Sequence, residues 1–315
     1  MIEKLFKLKE SGTTIPTEVI GGLTTFMTLS YIIFVQPAVL STTGMDFGAV
    51  MVATCLGSAI ACILMALLAN YPIALAPAMG HNFYFAFTIC GATAIGGLGY
   101  PWQVALGANF ISGALFVALS AFKFRERIIN AIPDSLKHAI SVGIGLLITL
   151  VGLEWAGIVV DSPGTLVGLG NLKSTPVLVS IFGILFISVL IARKVKGAIL
   201  WGVLLTAVIG LISGVVKYHG ILSLPPSIAP TFGKLDISGV FRQMDFITVI
   251  FVLFFLDLFD TVGTLVGVGT QAGFMKKGKL PRAGRALMSD AIGTVGGTVL
   301  GTSTVTSYIE SAAGI

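Results

Sequence analysis

The chain has 315 residues, of which 55% are apolar and only 10% charged, with a mean hydropathy of +0.99. Soluble domains carry about 25% charged residues, so this composition excludes a soluble globular fold and calls for a lipid bilayer. The formal net charge of +5 does not mark a nucleic-acid partner, because the basic residues fall in short segments between apolar runs. Cys55, Cys62 and Cys90 all lie inside such runs. They match no metal-ligand spacing, and an odd number gives no disulfide framework.

Apolar runs long enough to cross a bilayer, about 20 residues each, recur along the whole chain. They predict nine spans, at 19–42, 48–69, 76–92, 101–122, 136–156, 175–192, 197–216, 246–267 and 287–301, and a tenth segment starting near Ser303. The first run is too long for a signal peptide and lacks a cleavage site. With these spans, basic residues crowd one side of the membrane: the N-terminus and the loops at 123–137, 193–196 and 276–285. The other side receives only Lys173, Lys217, Lys234 and Arg242 of the 19 Lys and Arg. The positive-inside rule then places the N-terminus in the cytoplasm.

Two segments depart from ordinary spans. The third contains Ile73-Ala-Leu-Ala-Pro-Ala-Met-Gly-His-Asn82, with Pro77, Gly80, His81 and Asn82 in mid-run. The tenth begins Gly301-Thr-Ser-Thr-Val-Thr-Ser-Tyr-Ile-Glu310. Each reads as a short extended stretch leading into a half-helix. Pro77 suits a first helical turn, and Ser303, Thr304 or Thr306 suits a cap. A helix start at membrane depth is tolerated only where it lines a cavity, and paired interrupted helices mark the binding site of many secondary transporters. The plainer reading is a proline-kinked span and a surface loop. Glycines spaced by four, Gly293, Gly297 and Gly301, and likewise Gly263 and Gly267, suit close helix packing. No P-loop lysine follows a glycine-rich loop, so no phosphate cradle is expected.

Four acids sit near or inside the late apolar stretches: Asp257, Asp260, Asp290 and Glu310. Asp257, Asp260 and Glu310 fall at membrane depth, where a carboxylate costs about 2.5–3.5 kcal/mol on insertion scales. Such groups persist where they face a polar cavity or a partner. In Phe254-Phe-Leu-Asp257-Leu-Phe-Asp260-Thr-Val-Gly-Thr264 the two aspartates and Thr264 share one helix face at i, i+3 and i+7. Two carboxylates that close cannot both be charged cheaply in a low dielectric. The pair is therefore expected to hold a proton, or else to bond neighbouring helices as structural acids.

These residues carry a family resemblance. Gly21-Gly-Leu-Thr-Thr-Phe-Met-Thr, Tyr31-Ile-Ile-Phe-Val-Gln-Pro, Ala76-Pro-Ala-Met-Gly-His-Asn82, Phe259-Asp260-Thr-Val-Gly-Thr-Leu, Lys279-Leu-Pro-Arg-Ala-Gly-Arg-Ala and Gly301-Thr-Ser-Thr-Val-Thr-Ser-Tyr-Ile-Glu310-Ser occur in that order. Together the chain resembles the nucleobase:cation symporter-2 superfamily, in its AzgA-like branch of purine permeases, over essentially its full length. The resemblance implies an all-α polytopic membrane protein of the UraA-like 7+7 inverted-repeat fold, with short strands before the half-helices of spans three and ten. It implies core spans at 1–122 and 246–315 and a gate at 123–245. Fourteen spans need roughly a hundred more residues, so the chain is expected to be a fragment of a longer protein.

The same resemblance implies a multi-pass permease of the cell membrane, not an enzyme, and without a cofactor. Its partners would be a purine nucleobase (guanine, hypoxanthine or adenine), protons and the lipid bilayer, with a possible homodimer and no nucleic acid. Transport would be proton symport with an elevator-like motion of the core. Matched by motif, Asn82, Asp257, Asp260, Glu310, His81 and Thr264 form the substrate site, and Asp257, Asp260 and Glu310 the coupling groups. Phe83, Tyr84 or Phe26 could stack on the purine ring. Two positions depart from the pattern: His81 stands where an apolar or small residue is expected, and Gln36 where Asn is commoner. His81 could bond the ligand, titrate, or bond a neighbouring helix.

Other classes fit less well. An intramembrane aspartyl protease would need a Gly-x-Gly-Asp string on a second helix, and Asp290 sits in Met288-Ser-Asp-Ala instead. An ion channel would need a symmetric pore. An anion transporter of the same fold would favour a basic group in the site. A xanthine- or uracil-type transporter stays open.

Overall fold

The computed structural model describes residues 2–121, 134–162, 164–195, 197–216, 220, 224–275 and 280–315. Much of the basic loop sequence, at 123–133, 196 and 276–279, lies outside the described residues. The protein is an all-α membrane protein with little sheet. Among the described residues, five helical segments are long and apolar enough to cross a bilayer: Ile15–Ser41, Phe47–Ala69, Trp102–Ser120, Thr175–Ala192 and Phe246–Gln271.

Each predicted span corresponds to a helical segment. The first is two helices, α1 (Ile15–Leu29) and α2 (Ile32–Ser41). At their junction the Ser30 hydroxyl donates to the Met27 carbonyl at 3.3 Å, a local bond that competes with the helical ladder. α3 (Phe47–Leu64) starts at Asp46, whose Oδ1 accepts from the Ala49 N–H at 2.7 Å. It loosens into a π turn at Met65–Ala69 and stops at Asn70, which takes the left-handed conformation that Asn tolerates. Strand β1 (Leu75–Pro77) and α4 (Met79–Phe83) follow, α4 continuing as a π turn over Tyr84–Ile89. The later helices are α5 (Trp102–Ala121), α6 (Asp134–Trp155), α7 (Thr175–Ala192), α8 (Ala198–Ile212), α9 (Phe246–Gln271) and α10 (Ala283–Leu300). A hairpin of β2 (Val159–Ser162) and β3 (Leu166–Leu169), not expected from the sequence, lies between α6 and α7. The chain closes with β4 (Val305–Ser307) and a 3-10 turn at Ile309–Ala313.

The chain divides into two compact units. One comprises residues 1–25, 32–141 and 225–315, the other 26–31 and 142–224. In the first, α10 is the central helix, packed on α3 and α5. Small residues allow the approach. A Cβ on Gly293 would lie 2.8 Å from the Ala61 Cβ, and one on Gly113 would lie 2.9 Å from the Thr294 Cγ2. Gly297 faces Val305 and Thr302, so the backbone of α10 abuts the strand segment directly. Gly263 differs from expectation: a Cβ there would meet nothing within 4 Å. In the second unit α7 and α8 pair through glycines. Gly183 faces Thr206 and Gly202 faces Ile187. The remaining sides of α7 expose Leu178, Leu185 and Val189, as a helix in lipid does.

Both expected strands are present, and they pair with each other. β1 and β4 run antiparallel in the register Leu75↔Ser307, Ala76↔Thr306 and Pro77↔Val305. Pro77 is thus a strand residue and not the first turn of a helix. A two-stranded ladder is all edge, which is where a residue without an N–H is tolerated.

Candidate functional site

The β1–β4 crossing delivers two helix starts to one place. The Ala78 N–H donates to the Thr304 carbonyl at 2.8 Å, and the Tyr308 N–H to the Ala74 carbonyl at 3.0 Å. The Tyr308 hydroxyl reaches the Pro77 carbonyl, and the Ala74 N–H donates to Ser311 Oγ at 3.0 Å. α4 begins after Ala78 and the 3-10 turn after Tyr308, and neither start has a side-chain cap. The expected caps from Ser303, Thr304 or Thr306 do not form. Their hydroxyls turn to other elements: Ser303 to Asn82, Thr304 to Asn109 at 3.3 Å, and Thr306 to Thr261 at 2.9 Å. Uncapped first-turn N–H groups keep their hydrogen-bonding capacity and the positive end of the helix dipole.

His81, Asp260 and Glu310 come together at this crossing. His81 Nδ1 lies 4.0 Å from Asp260 Oδ2. The imidazole is 1% exposed, and neither ring nitrogen has a hydrogen-bond partner among the described residues. The Asp260 side chain is 25% exposed and interacts electrostatically with Glu310. Thr264 stands beside them: its hydroxyl meets Ser307 Oγ at 2.6 Å and donates to the Asp260 carbonyl at 2.8 Å. The polar side chains of α9 are thereby stitched to β4.

Asn82 and Asp257 occupy different ground. Asn82 is fully buried, and its amide is bonded at both ends, by Gln36 and by Ser303. Asp257 is 1% exposed and meets the Thr261 hydroxyl at 3.4 Å. That hydroxyl also donates to Asp290 Oδ2 at 2.8 Å. The two aspartates of α9 share a broad face, but three residues leave them about 60° apart around the helix. Asp257 is therefore linked through Thr261 to α10, while Asp260 faces His81 on α4.

Several polar residues escaped the sequence reading. Asp290, noted there but set outside the bilayer group, is fully buried. Asp290, Thr294 and Thr298 form a buried stripe at i, i+4 and i+8, a period that could have revealed it. Thr261 repeats the same spacing from Asp257. Asn109 is also fully buried and had no periodic signal, and Gln36, marked in the sequence only as a departure from the family pattern, is fully buried as well. Of the aromatic candidates, Phe26 is 56% exposed on the apolar outside, and Phe83 stacks on Phe87 with centroids 6.0 Å apart.

Comparison with known proteins agrees with this architecture. The family described as Permease family matches residues 16–315. A Methanocaldococcus jannaschii protein designated a permease is 54% identical, the match covering 100% of this chain and 71% of that protein. The guanine/hypoxanthine permease PbuG of Bacillus subtilis is 48% identical over 100% of this chain and 73% of its own length. The adenine permease AdeP of Escherichia coli is 46% identical, covering 100% and 70%. Among solved structures, the transmembrane domain of a cyanobacterial bicarbonate transporter, BicA, superposes with a TM-score of 0.63 at 15% identity, covering 95% of this chain and 76% of that one. That likeness concerns the fold, a transporter membrane domain of the UraA-like type. The chain is a transporter and not an enzyme, and it belongs to the nucleobase:cation symporter-2 family of permeases.

Proposed function

We propose that the protein carries purine nucleobases inward across the cell membrane by proton symport, with its N-terminus in the cytoplasm. The observation that carries this reading is the pair of buried His81 and partly exposed Asp260, next to Glu310, at the crossing of two uncapped helix starts. A purine edge offers N–H donors and ring-nitrogen acceptors. Asp260 and Glu310 can accept from the N–H groups. His81 can donate or accept, according to its tautomer. N–H groups of helix starts without a side-chain cap suit a carbonyl. Asp257, Asn82 and Thr264 support these groups through the networks described above. The names of the relatives PbuG and AdeP favour a purine, and they leave oxopurines and adenine both open.

Coupling follows if the loaded core reorients only when one acid of the Asp260 and Glu310 pair is neutral. An ionised carboxylate that moves through the bilayer without a partner is costly. A proton makes that movement feasible, in an elevator-like displacement of the core that carries the site. The test is uptake of labelled adenine, guanine and hypoxanthine by cells that lack their own purine permeases and express this protein. Saturable uptake of at least one base, abolished by an uncoupler and indifferent to sodium, is the expected result. Uptake of bicarbonate or uracil alone would overturn the purine assignment.

A further inference from the structure

Gln36 on α2 is fully buried in the middle of a polar ring. Its Nε2 donates to Thr302 Oγ1 and to Ser303 Oγ, each at 3.0 Å. Its Oε1 accepts from Asn82 Nδ2. Ser303 Oγ closes the ring by donating to Asn82 Oδ1. Gln36, Asn82, Thr302 and Ser303 are all 0% exposed. The ring joins three elements distant in sequence: α2, the start of α4, and the extended lead into β4.

We propose that Gln36 is a positioning residue, which locks the start of α4 to the lead into β4 and so fixes where the His81 ring points. The argument runs through Asn82, the residue next to His81 on the same short helix. Adjacent helical side chains diverge by about 100°, so holding Asn82 inward sets the direction of His81 toward Asp260. The three-residue β1–β4 ladder fixes register but is too short to fix the angle of the helix that follows it. The Gln36 amide supplies that constraint. It supplies it at depth, where an unmatched amide or hydroxyl is costly. Asn cannot serve identically at position 36, because its stem is one methylene shorter and the ring spans two elements at once. The amide of Asn82 is engaged at both ends, so its effect on substrate passes through this ring.

The test rests on the purine-transport reading for its first arm. Gln36→Leu is measured for uptake of adenine, guanine and hypoxanthine at equal membrane expression. The expected result is a rise in KM of about tenfold for each transported base, with their ratio unchanged and kcat much less affected. Ser303→Ala alone gives a rise of the same kind, and the double variant is no worse than Gln36→Leu, because the two act in one ring. A wild-type KM for Gln36→Leu overturns the proposal. So does a changed ratio among bases, which would mean direct contact with substrate, or strict additivity of the two substitutions. Should the wild-type protein carry no purine, the transport reading fails and the ring is judged by heat denaturation in detergent. There the two single variants and the double must again be non-additive in Tm, and additivity overturns the proposal.

Discussion

The imidazole of His81 and the carboxylate of Asp260 face each other at 4.0 Å, across the gap between a short helix and the long helix α9. One group is sealed at 1% exposure and the other is open at 25%. A polar ring without a hydrogen-bond partner is costly in an apolar interior. In the proposed function a ligand edge beside Asp260 is the natural complement of that ring.

His81→Leu should therefore change selectivity more than capacity. An exocyclic carbonyl and an exocyclic amine make opposite demands on a neighbour, and a site built to bond one rejects analogues that lack it. The expected outcome is a shifted ratio of oxopurine to adenine uptake with transport retained. Competition assays with guanine, hypoxanthine and adenine measure it. An unchanged ratio would make His81 a purely structural residue.

Glu310→Gln should reduce uptake by about a hundredfold or more while the protein still reaches the membrane, since loss of a charged hydrogen-bond partner in a desolvated site has costs of that order. Gln cannot take up a proton, and it replaces one acceptor oxygen with a donor. Near-wild-type uptake at matched expression would remove Glu310 from the site.

The two aspartates of α9 should separate experimentally. Asp260→Asn is expected to leave any residual uptake insensitive to an uncoupler, because its partners are His81 and Glu310. Asp257→Asn acts through the Thr261–Asp290 network. Its expected signature is lower heat stability and fewer molecules at the membrane. Identical behaviour of the two variants in both assays would contradict the division.

Packing of α10 gives a prediction independent of transport. A Cβ at Gly297 would lie 2.9 Å from Val305 Cγ2 and 3.1 Å from Thr302 Cγ2. Gly297→Leu should push β4 away from the helix and destabilise the protein by about 1–3 kcal/mol, read as a lowered Tm in detergent. Gly263→Ala, where nothing lies within 4 Å, should be close to neutral.

The orientation can be checked with impermeant thiol reagents. Arg193→Cys should resist labelling in intact cells, and Lys234→Cys should react, each in a background without the native cysteines. The reverse pattern would invert the topology derived from the charge bias.

Much of this architecture is legible in the sequence because bilayer constraints are strict. The apolar runs mark the helices, and interruptions such as Ala76-Pro-Ala and Thr302-Ser-Thr mark the strands that precede the half-helices. What stays hidden depends on pairing across long sequence distances. Nothing near Pro77 announces that its partner is Val305. Hydroxyls at 303–306 look equally suited to cap a helix and to bond another element, and tertiary contacts decided for the latter. Gln36 carried a signal only as a departure from a family pattern. The β2–β3 hairpin had a local sequence signal, the string Ser162-Pro-Gly164, outweighed by the long apolar runs on either side.

The most direct test is proton movement in proteoliposomes that contain the purified protein and a pH-sensitive dye. On addition of the transported purine outside, with no imposed gradient and no sodium, the account predicts alkalinisation of the external medium in step with purine entry, and its loss in Asp260→Asn. Purine entry with no change in external pH would contradict proton coupling, and no entry of any purine would contradict the assigned function.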